Sequence, residues 1–363
     1  MGMILRIASS RIVGQGDIVG RSGYFSLNLS ANSVMRGRLD ARRTLKSLVA
    51  DLRMKQYEIG KTGMKVSNLS FGASSLGGVF HNVREAEGIK AVHTAVDNGM
   101  NFIDVSPYYG HYKAEIVLGK ALKDIPRDKY YLSTKVGRYG KDGVNLWDYS
   151  AKRAIESVYE SMERLHVDYI DLINVHDVEF ADMRQVVNIT LPALVGLREK
   201  GVVGHVGITD LQLENLKWVV DCVPEGTVES VLSFCHHCLN DDRLTEFLDY
   251  FESKQVGVIN ASPLSMGLLS KRGVPDWHPA PKRLVKACQK AVAHCESKGY
   301  PIEKLAIQFA VSNPRIATTL FSSANPDNVL KNIAFAEEPI DWDLVREVQE
   351  IIGNQRYVSW ANS

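Results

Sequence analysis

Cysteine is scarce in this sequence, and its charges almost cancel. The 363 residues include five cysteines and carry a formal net charge of +1. An odd, sparse set of cysteines in a chain of this length is typical of reduced intracellular thiols rather than of a disulfide framework. The near-neutral charge gives no electrostatic reason to expect a nucleic acid or an acidic membrane surface as a partner.

Long apolar runs and a glycine-rich phosphate loop are also missing. No run approaches the ~18–20 apolar residues of a membrane span, so we expect no membrane association. Gly72, Gly77 and Gly78, after the first buried strand, do not have the dinucleotide-binding spacing. The run Cys235–Cys238 has C-x-x-C spacing around two histidines, but no second ligand cluster follows it. We therefore expect it to line a pocket, and we expect no metal.

Basic residues are concentrated at the start of the chain. Residues 1–53 contain nine Lys or Arg and three Asp or Glu, and they are rich in serine. An organelle-targeting presequence has this composition, and a disordered leader before Met54 accounts for it equally well. We therefore divide the chain into an N-terminal extension, 1–53, and one barrel domain, 54–363. The expected location is the cytoplasm, or an organelle if the extension is a targeting segment.

From Gln56 onwards, short apolar strands alternate with amphipathic helices after an initial β-hairpin. The predicted strands, rich in Val, Ile, Leu and Tyr, are Leu69–Ala73, Asn101–Asp104, Tyr130–Val136, Tyr169–Val175, Gly204–Ile208, Val228–Phe234, Gly257–Ala261 and Ile316–Phe321. Eight strands in this length match a (β/α)₈ TIM barrel better than a doubly wound sheet. The extra segment 272–298, after the seventh strand, is expected to form part of the rim of the barrel mouth.

Ionisable side chains end three consecutive predicted strands. Asp104 ends the second strand and Tyr109 follows it, Lys135 lies in the third, and His176 follows the fourth. The carboxyl ends of barrel strands surround one mouth, so these four groups should converge there. Each residue alone has a structural explanation, such as a buried Lys135–Asp104 ion pair, and only their coincidence indicates catalysis.

These residue types suit hydride transfer between a carbinol carbon and nicotinamide, because the oxygen must gain or lose a proton. A free tyrosine has a pKa near ~10, and the adjacent ammonium of Lys135 is expected to lower it. Asp104 would hold Lys135 in place, and His176 would hydrogen-bond the substrate oxygen. Tyr109 is therefore the predicted proton-transfer residue.

Residues 55–337 resemble the aldo-keto reductase family. The resemblance rests on Phe102–Gly110, Ser133–Lys135 and Asn174–His176, which hold the family's Asp, Tyr, Lys and His in order. It implies an NAD- or NADP-dependent enzyme that binds its cofactor in an extended form. Further segments resemble the branch of that family that oxidises L-galactose with NAD: Phe71–Gly77, Val175–Phe180, Ser233–His236, Ala261–Leu269 and Trp277–Pro279.

The same resemblance implies a set of cofactor-binding residues. Thr209 and Asp210 stand where the family has Ser-Asn on the nicotinamide carboxamide, and Ala261 replaces a stacking aromatic residue. Ser262 and Leu264 should contact the pyrophosphate. After the eighth strand, the remaining candidates follow in order: Ser322, Ser323, the helix cap Asn325–Pro326, Asn328 and Asn332.

Asn328 bears on the choice of cofactor, since NADP-preferring members often carry an Arg there. Its identity favours NAD, with NADP possible if Lys331 or Lys304 supplies the charge. The leading hypothesis is NAD-dependent oxidation of an aldose, L-galactose or a related sugar, to the lactone, with Tyr109 as base. The alternatives are an NADPH-dependent carbonyl reductase and a cofactor-binding regulatory subunit. We expect a small-molecule sugar or carbonyl substrate, and a monomer or weak homo-oligomer.

Overall fold

A computed structural model describes residues 54–79, 82–140 and 146–360, so the predicted extension 1–53 lies outside the described residues. The strands are β1 (Gln56–Glu58), β2 (Lys65–Ser67), β3 (Leu69–Gly72), β4 (Phe102–Asp104), β5 (Tyr131–Val136), β6 (Ile170–Val175), β7 (Val203–Asp210), β8 (Ser230–Phe234), β9 (Gly257–Ala261) and β10 (Thr318–Phe321). The α-helices are α1 (Glu85–Asp97), α2 (Lys113–Leu122), α3 (Ala151–Leu165), α4 (Met183–Gln185), α5 (Leu191–Glu199), α6 (Leu213–Cys222), α7 (Leu248–Ser253), α8 (Lys282–Ser297), α9 (Ile302–Ala310), α10 (Pro326–Glu337) and α11 (Trp342–Ile352).

Strands β3 to β10 form a closed parallel barrel, in which each strand pairs with its neighbours in sequence and β10 closes onto β3. The (β/α)₈ prediction is confirmed, and each of the eight predicted strands overlaps an observed one. These strands are short and buried on both faces, which explains their continuous apolar character. Among the described residues, no helix is both long and apolar enough to cross a bilayer.

The predicted N-terminal hairpin is present and packs against the amino-terminal end of the barrel. β1 and β2 pair antiparallel, and Ile59, Met64 and Val66 form one buried cluster with side chains of the barrel strands, among them Phe102 and Leu172. The connecting turn touches the start of β9 so closely that a Cβ on Gly60 would lie 2.6 Å from a backbone nitrogen. The hairpin thus packs against the end of the barrel that carries none of the predicted site residues.

The helices pack around the barrel through amphipathic faces. α3 illustrates the pattern: Ala154, Val158 and Leu165 are buried, and the predicted N-cap, Ser150, accepts a hydrogen bond from the Arg153 amide at 3.3 Å. The predicted insertion after β9 contains α8, which packs against α11. In the same insertion, His278 meets Trp360 edge to face at 5.2 Å.

Candidate active site

The four predicted catalytic side chains meet at the carboxyl end of the barrel. Asp104 ends β4 and pairs in register with Ser133 of β5, while Lys135 pairs with Asn174 of β6. His176 leaves β6 with its amide donating to the Val136 carbonyl at 2.9 Å. Adjacent parallel strands therefore hold three of the four residues, and the loop after β4 brings Tyr109 over them.

Lys135 is the centre of this group, with its side chain only 1% exposed. Its ammonium donates to the Asp104 carboxylate, to the Val105 carbonyl at 2.9 Å and to the Tyr109 hydroxyl at 3.3 Å. Burial lowers the pKa of Lys135, but Asp104 and Tyr109 together raise it above the usual value. The side chain is therefore a fixed ammonium in direct contact with the tyrosine hydroxyl.

The pKa of Tyr109 differs from the sequence-based expectation. Lys135 does lower it, as predicted, but burial raises it more, and Asp104 and Asp177 add to the increase. The net shift is upward, so the expected depression of the pKa was wrong. Desolvation of the half-buried tyrosine outweighs the ammonium, and its phenolate would stand near two carboxylates.

His176 is buried and neutral. Burial, followed by the charges of Lys135 and Arg138, holds its pKa well below the usual value. Its Nδ1 lies 3.0 Å from the Ser106 hydroxyl, which also accepts the Tyr108 amide at 3.1 Å. The rings of His176 and Tyr109 meet edge to face at 5.8 Å. One neutral imidazole thus lies directly beside the tyrosine.

Two polar residues of this site were not predicted from the sequence. Ser106 stands within the segment that resembles the family, but its contact with His176 depends on the loop conformation. Arg138, three residues after Lys135, ion-pairs with Asp177 at 2.5 Å. The sequence could have indicated Arg138 through its position, two residues after the end of the third predicted strand.

Thr209 and Asp210 end β7, as predicted, but both side chains are already engaged. The Thr209 hydroxyl donates to Asp177 at 3.1 Å and accepts that residue's amide at 2.9 Å. Asp210 accepts from the Gln212 amide at 2.7 Å and from Asn215 at 3.2 Å. Burial, and next the carboxylate of Glu179, raise the pKa of Asp210 to about 8. The raised pKa favours the protonated carboxyl, which resembles the side chain of an asparagine.

Ser262 and Leu264 follow β9, and Ser322 and Ser323 follow β10, which pairs with both β9 and β3. Ser262 has a left-handed backbone (φ +59°), and Leu264 packs partly buried beside it. The Ser322 hydroxyl accepts the Ser75 amide at 2.8 Å, which ties β10 to the turn after β3. These residues border one side of the mouth.

Helix α10 continues this border and begins where predicted. Asn325 caps it by accepting the amides of Asp327 and Asn328 at 2.8 and 3.3 Å, and Pro326 is the first helical residue. Asn328 is exposed in the first turn, and Asn332 is half-buried one turn later. The structure therefore brings the predicted cofactor residues into one arc along β7, β9, β10 and α10.

The Cys235–Cys238 run follows β8. Its thiols are buried, and burial raises the pKa of Cys235 to about 12. His237 is buried against Phe309, with ring centroids 5.0 Å apart. Within the described ranges, no three His, Cys, Asp or Glu side chains are grouped so that they could hold a metal ion.

Comparisons with known proteins agree with this fold. The model of the aldo/keto reductase family matches residues 68–353. L-galactose dehydrogenase from Arabidopsis thaliana is 44% identical over 310 residues, 84% of this chain and 96% of that protein. D-arabinose 1-dehydrogenase from Saccharomyces cerevisiae is 35% identical over 229 residues, 60% of this chain and 67% of that protein.

Among solved structures, the holo form of an aldo-keto reductase from Bacillus halodurans matches with a TM-score of 0.69. It is 24% identical and covers 86% of this chain and 99% of its own, which supports the fold. This chain belongs to the aldo-keto reductase family and is an oxidoreductase. Membership implies a nicotinamide cofactor, in agreement with the sequence-based expectation.

Proposed function

We propose that this chain oxidises an aldose, L-galactose or a related sugar, at the anomeric carbon to the lactone, with NAD. The observation that carries the proposal is the Tyr109 hydroxyl 3.3 Å from the buried ammonium of Lys135, beside the neutral ring of His176. The two relatives named as dehydrogenases of L-galactose and D-arabinose support a sugar substrate.

Tyr109 acts as the base in this proposal. Bound NAD supplies the hydride acceptor. Removing a hydride from the anomeric carbon requires the loss of the hydroxyl proton, and the Tyr109 oxygen receives it. The ammonium of Lys135 stabilises the phenolate form, and its bonds to Asp104 and Val105 keep it in place.

His176 orients the sugar oxygen. Since the Ser106 hydroxyl already accepts the Tyr108 amide, its own proton can be donated to Nδ1 of His176. That bond favours the tautomer with hydrogen on Nε2, which then donates to the substrate oxygen. A neutral imidazole suits this task because it donates without adding a charge.

Replacing Ser106 with alanine is expected to lower kcat by about 10-fold, the size of effect that follows loss of a group orienting a functional imidazole. The rate falls because the competing tautomer presents a lone pair, not a donor, to the substrate oxygen. The KM for NAD should stay unchanged, because neither Ser106 nor His176 is among the predicted cofactor contacts. Steady-state kinetics of Ser106→Ala, with Ser70→Ala as the control variant, would measure kcat and the KM for NAD. Ser70 is equally buried and hydrogen-bonded, but it lies within β3, where its hydroxyl contacts Ser67 and Thr318 instead of His176. Equal rates for Ser106→Ala and Ser70→Ala would contradict the role.

The residues along the arc fit an extended dinucleotide. Ser262 and Leu264 would contact the pyrophosphate, Ser322, Ser323 and Asn328 the nucleotide end, and Asn332 the adenine. Protonated Asp210, with Thr209, takes the place of the family's Ser-Asn at the carboxamide. The hydroxyl of Ser233, which precedes the last residue of β8, is buried with no hydrogen-bond partner among the described residues, so this end retains polar capacity for a ligand.

NAD is favoured over NADP by the charges near α10. Asn328 offers no cation to a 2′-phosphate, and the Lys304 ammonium is already paired with Glu338. Lys331 lies on the same helix, but its side chain is exposed, so water and salt screen its charge. The pairing of Lys304 therefore supports the sequence-based preference for NAD.

Carbonyl reduction with NADPH is the second candidate, and the raised pKa of Tyr109 favours it. A tyrosine that stays protonated at neutral pH is ready to donate its proton to a carbonyl oxygen. For oxidation, the same shift predicts a rate that rises with pH, since the base is the phenolate.

Steady-state kinetics with a panel of aldoses and simple aldehydes, each with both cofactors, tests the proposal. We expect kcat/KM for one or more aldoses with NAD to exceed every NADPH-dependent reduction. A strong preference for NADPH and simple aldehydes would establish the second candidate instead. Binding of NAD without turnover of any substrate would indicate the regulatory subunit.

A further inference from the structure

The guanidinium of Arg138 is clamped between aromatic rings beside the four predicted catalytic side chains. Its central carbon lies 3.6 Å from the ring centre of Tyr108, 4.5 Å from that of Trp147 and 5.2 Å from that of Phe180. Trp147 and Phe180 stack on each other at 4.0 Å with 19° between their planes. Because the cation contacts several π faces, its plane has little freedom to turn.

An ion pair connects this cation to the reaction centre. Arg138 Nη1 donates to Asp177 Oδ2 at 2.5 Å, and the same oxygen lies 3.6 Å from His176 Nε2. Asp177 is itself fixed through Thr209 and holds a left-handed backbone (φ +47°). One carboxylate oxygen therefore stands between the guanidinium and the imidazole that would hold the reacting oxygen.

The contribution of the Arg138–Asp177 pair to stability does not explain its presence. The attraction between two buried charges often fails to exceed the free energy of removing them from water, and a protein with apolar side chains of similar volume there is often as stable. Arg138 also leaves its Nε buried with no hydrogen-bond partner among the described residues. The guanidinium is thus a rigid, planar set of N–H donors that Asp177 does not use completely. Such a group is suited to bind a polar ligand.

The surroundings of the Arg138 guanidinium fit a sugar. A sugar presents hydroxyl groups at its edge and an apolar C–H face, and the half-buried rings of Trp147 and Phe180 offer a matching apolar surface. Among the hydroxyl groups of the sugar, the one on the carbon next to the reacting carbon is nearest to the oxygen held by His176. Asp177 Oδ2 lies within 3.6 Å of both His176 Nε2 and Arg138 Nη1, so the guanidinium is close enough to the imidazole for the two groups to reach oxygens on adjacent carbons of one sugar.

We propose that Arg138, held by Asp177 and clamped by Tyr108, Trp147 and Phe180, recognises the sugar hydroxyl adjacent to the anomeric carbon. The site thereby selects polyhydroxylated aldoses over simple aldehydes. This inference rests on the proposed aldose oxidation and names the residue that would give it specificity.

The test compares the best aldose substrate with its 2-deoxy analogue, in the wild-type enzyme and in Arg138→Met. In the wild type, kcat/KM should be about 100-fold lower for the 2-deoxy sugar, because a donor built for a hydroxyl is left unpaired without it. Arg138→Met should lose about 100-fold with the full aldose but less than about 5-fold with the analogue. The loss should fall mainly on KM.

Two further variants separate recognition from packing. Arg153→Met removes another arginine that stacks on a ring, Tyr139 at 4.3 Å, and pairs with a carboxylate, Glu160, but this arginine lies in the first turn of α3 and contacts none of the four predicted catalytic side chains. It should leave the ratio of the two sugars unchanged. Arg138→Lys keeps the charge opposite Asp177 and loses the fork, so it should lower discrimination by about 10-fold and retain the thermal stability of the wild type.

The outcomes are distinct. Equal losses with both sugars in Arg138→Met would show a purely structural residue and overturn the inference. If Arg138→Met does not fold, the wild-type enzyme still tests the inference. Equal wild-type kcat/KM for the aldose and its 2-deoxy analogue would contradict recognition of the hydroxyl. Failure of the proposed function looks different, because the wild type then oxidises no aldose and reduces simple aldehydes.

Discussion

Replacing Tyr109 with phenylalanine is expected to lower kcat by about 10³-fold, within the range that a positioned acid–base group contributes. Phenylalanine keeps the ring against His176 and removes only the atom that takes the proton. The affinity for NAD should therefore change little, because no predicted cofactor contact involves the Tyr109 hydroxyl. Single-turnover rates together with fluorescence titration of NAD measure the two quantities separately.

Tyr250→Phe is the matched control for this variant. Its hydroxyl also makes a hydrogen bond, to Asp221 at 2.6 Å, but on the outer helices. The control should retain full activity. If Tyr109→Phe kept more than a tenth of wild-type turnover, Tyr109 would not be the proton-transfer residue.

Lys135→Met should affect both activity and stability. Without the ammonium, the pKa of Tyr109 rises further above its already raised value. Because oxidation needs the phenolate, the increase of its rate with pH should then occur at higher pH. Asp104 would also lose its buried partner, which costs about 3–5 kcal/mol of unfolding free energy. A pH–rate profile and a denaturant titration measure these effects.

Lys120→Met provides the comparison for the lost ion pair. Lys120 pairs with Glu85 on the surface, with about half of each side chain exposed, so its loss should cost no more than about 1 kcal/mol. A Lys135→Met enzyme with an unshifted pH profile would refute the electrostatic role of the ammonium. Equal stabilities of the two variants would show that Asp104 does not depend on Lys135.

The barrel and the catalytic group were predictable because both depend on the chain order of short patterns. Asp104 ends a buried strand, Lys135 is the last residue but one of the next strand, and His176 follows the one after it. Parallel barrel strands bring such positions to one end whatever the details of packing. The helix cap at Asn325 was predictable for a similar reason, because an Asn-Pro pair after a strand is a local signal.

The electrostatic state of the site could not be predicted in the same way. The pKa of Tyr109 depends on how completely the folded loops exclude water, and burial outweighed the one partner visible in the sequence. Asp210 shows the same limit, since Glu179 and burial together raise the pKa of its carboxyl. The contacts of Ser106 and Arg138 depend on loop conformations that no periodic pattern encodes.

The most direct test of the central claim follows the hydrogen on the anomeric carbon. An aldose carrying deuterium only at C1 is oxidised with NAD, and the reduced cofactor and the sugar product are analysed by mass spectrometry. The account predicts deuterium in the NADH, a primary isotope effect on the hydride-transfer step, and a lactone product without label. Deuterium retained in the oxidised sugar would show that oxidation occurs at another carbon and would contradict the account.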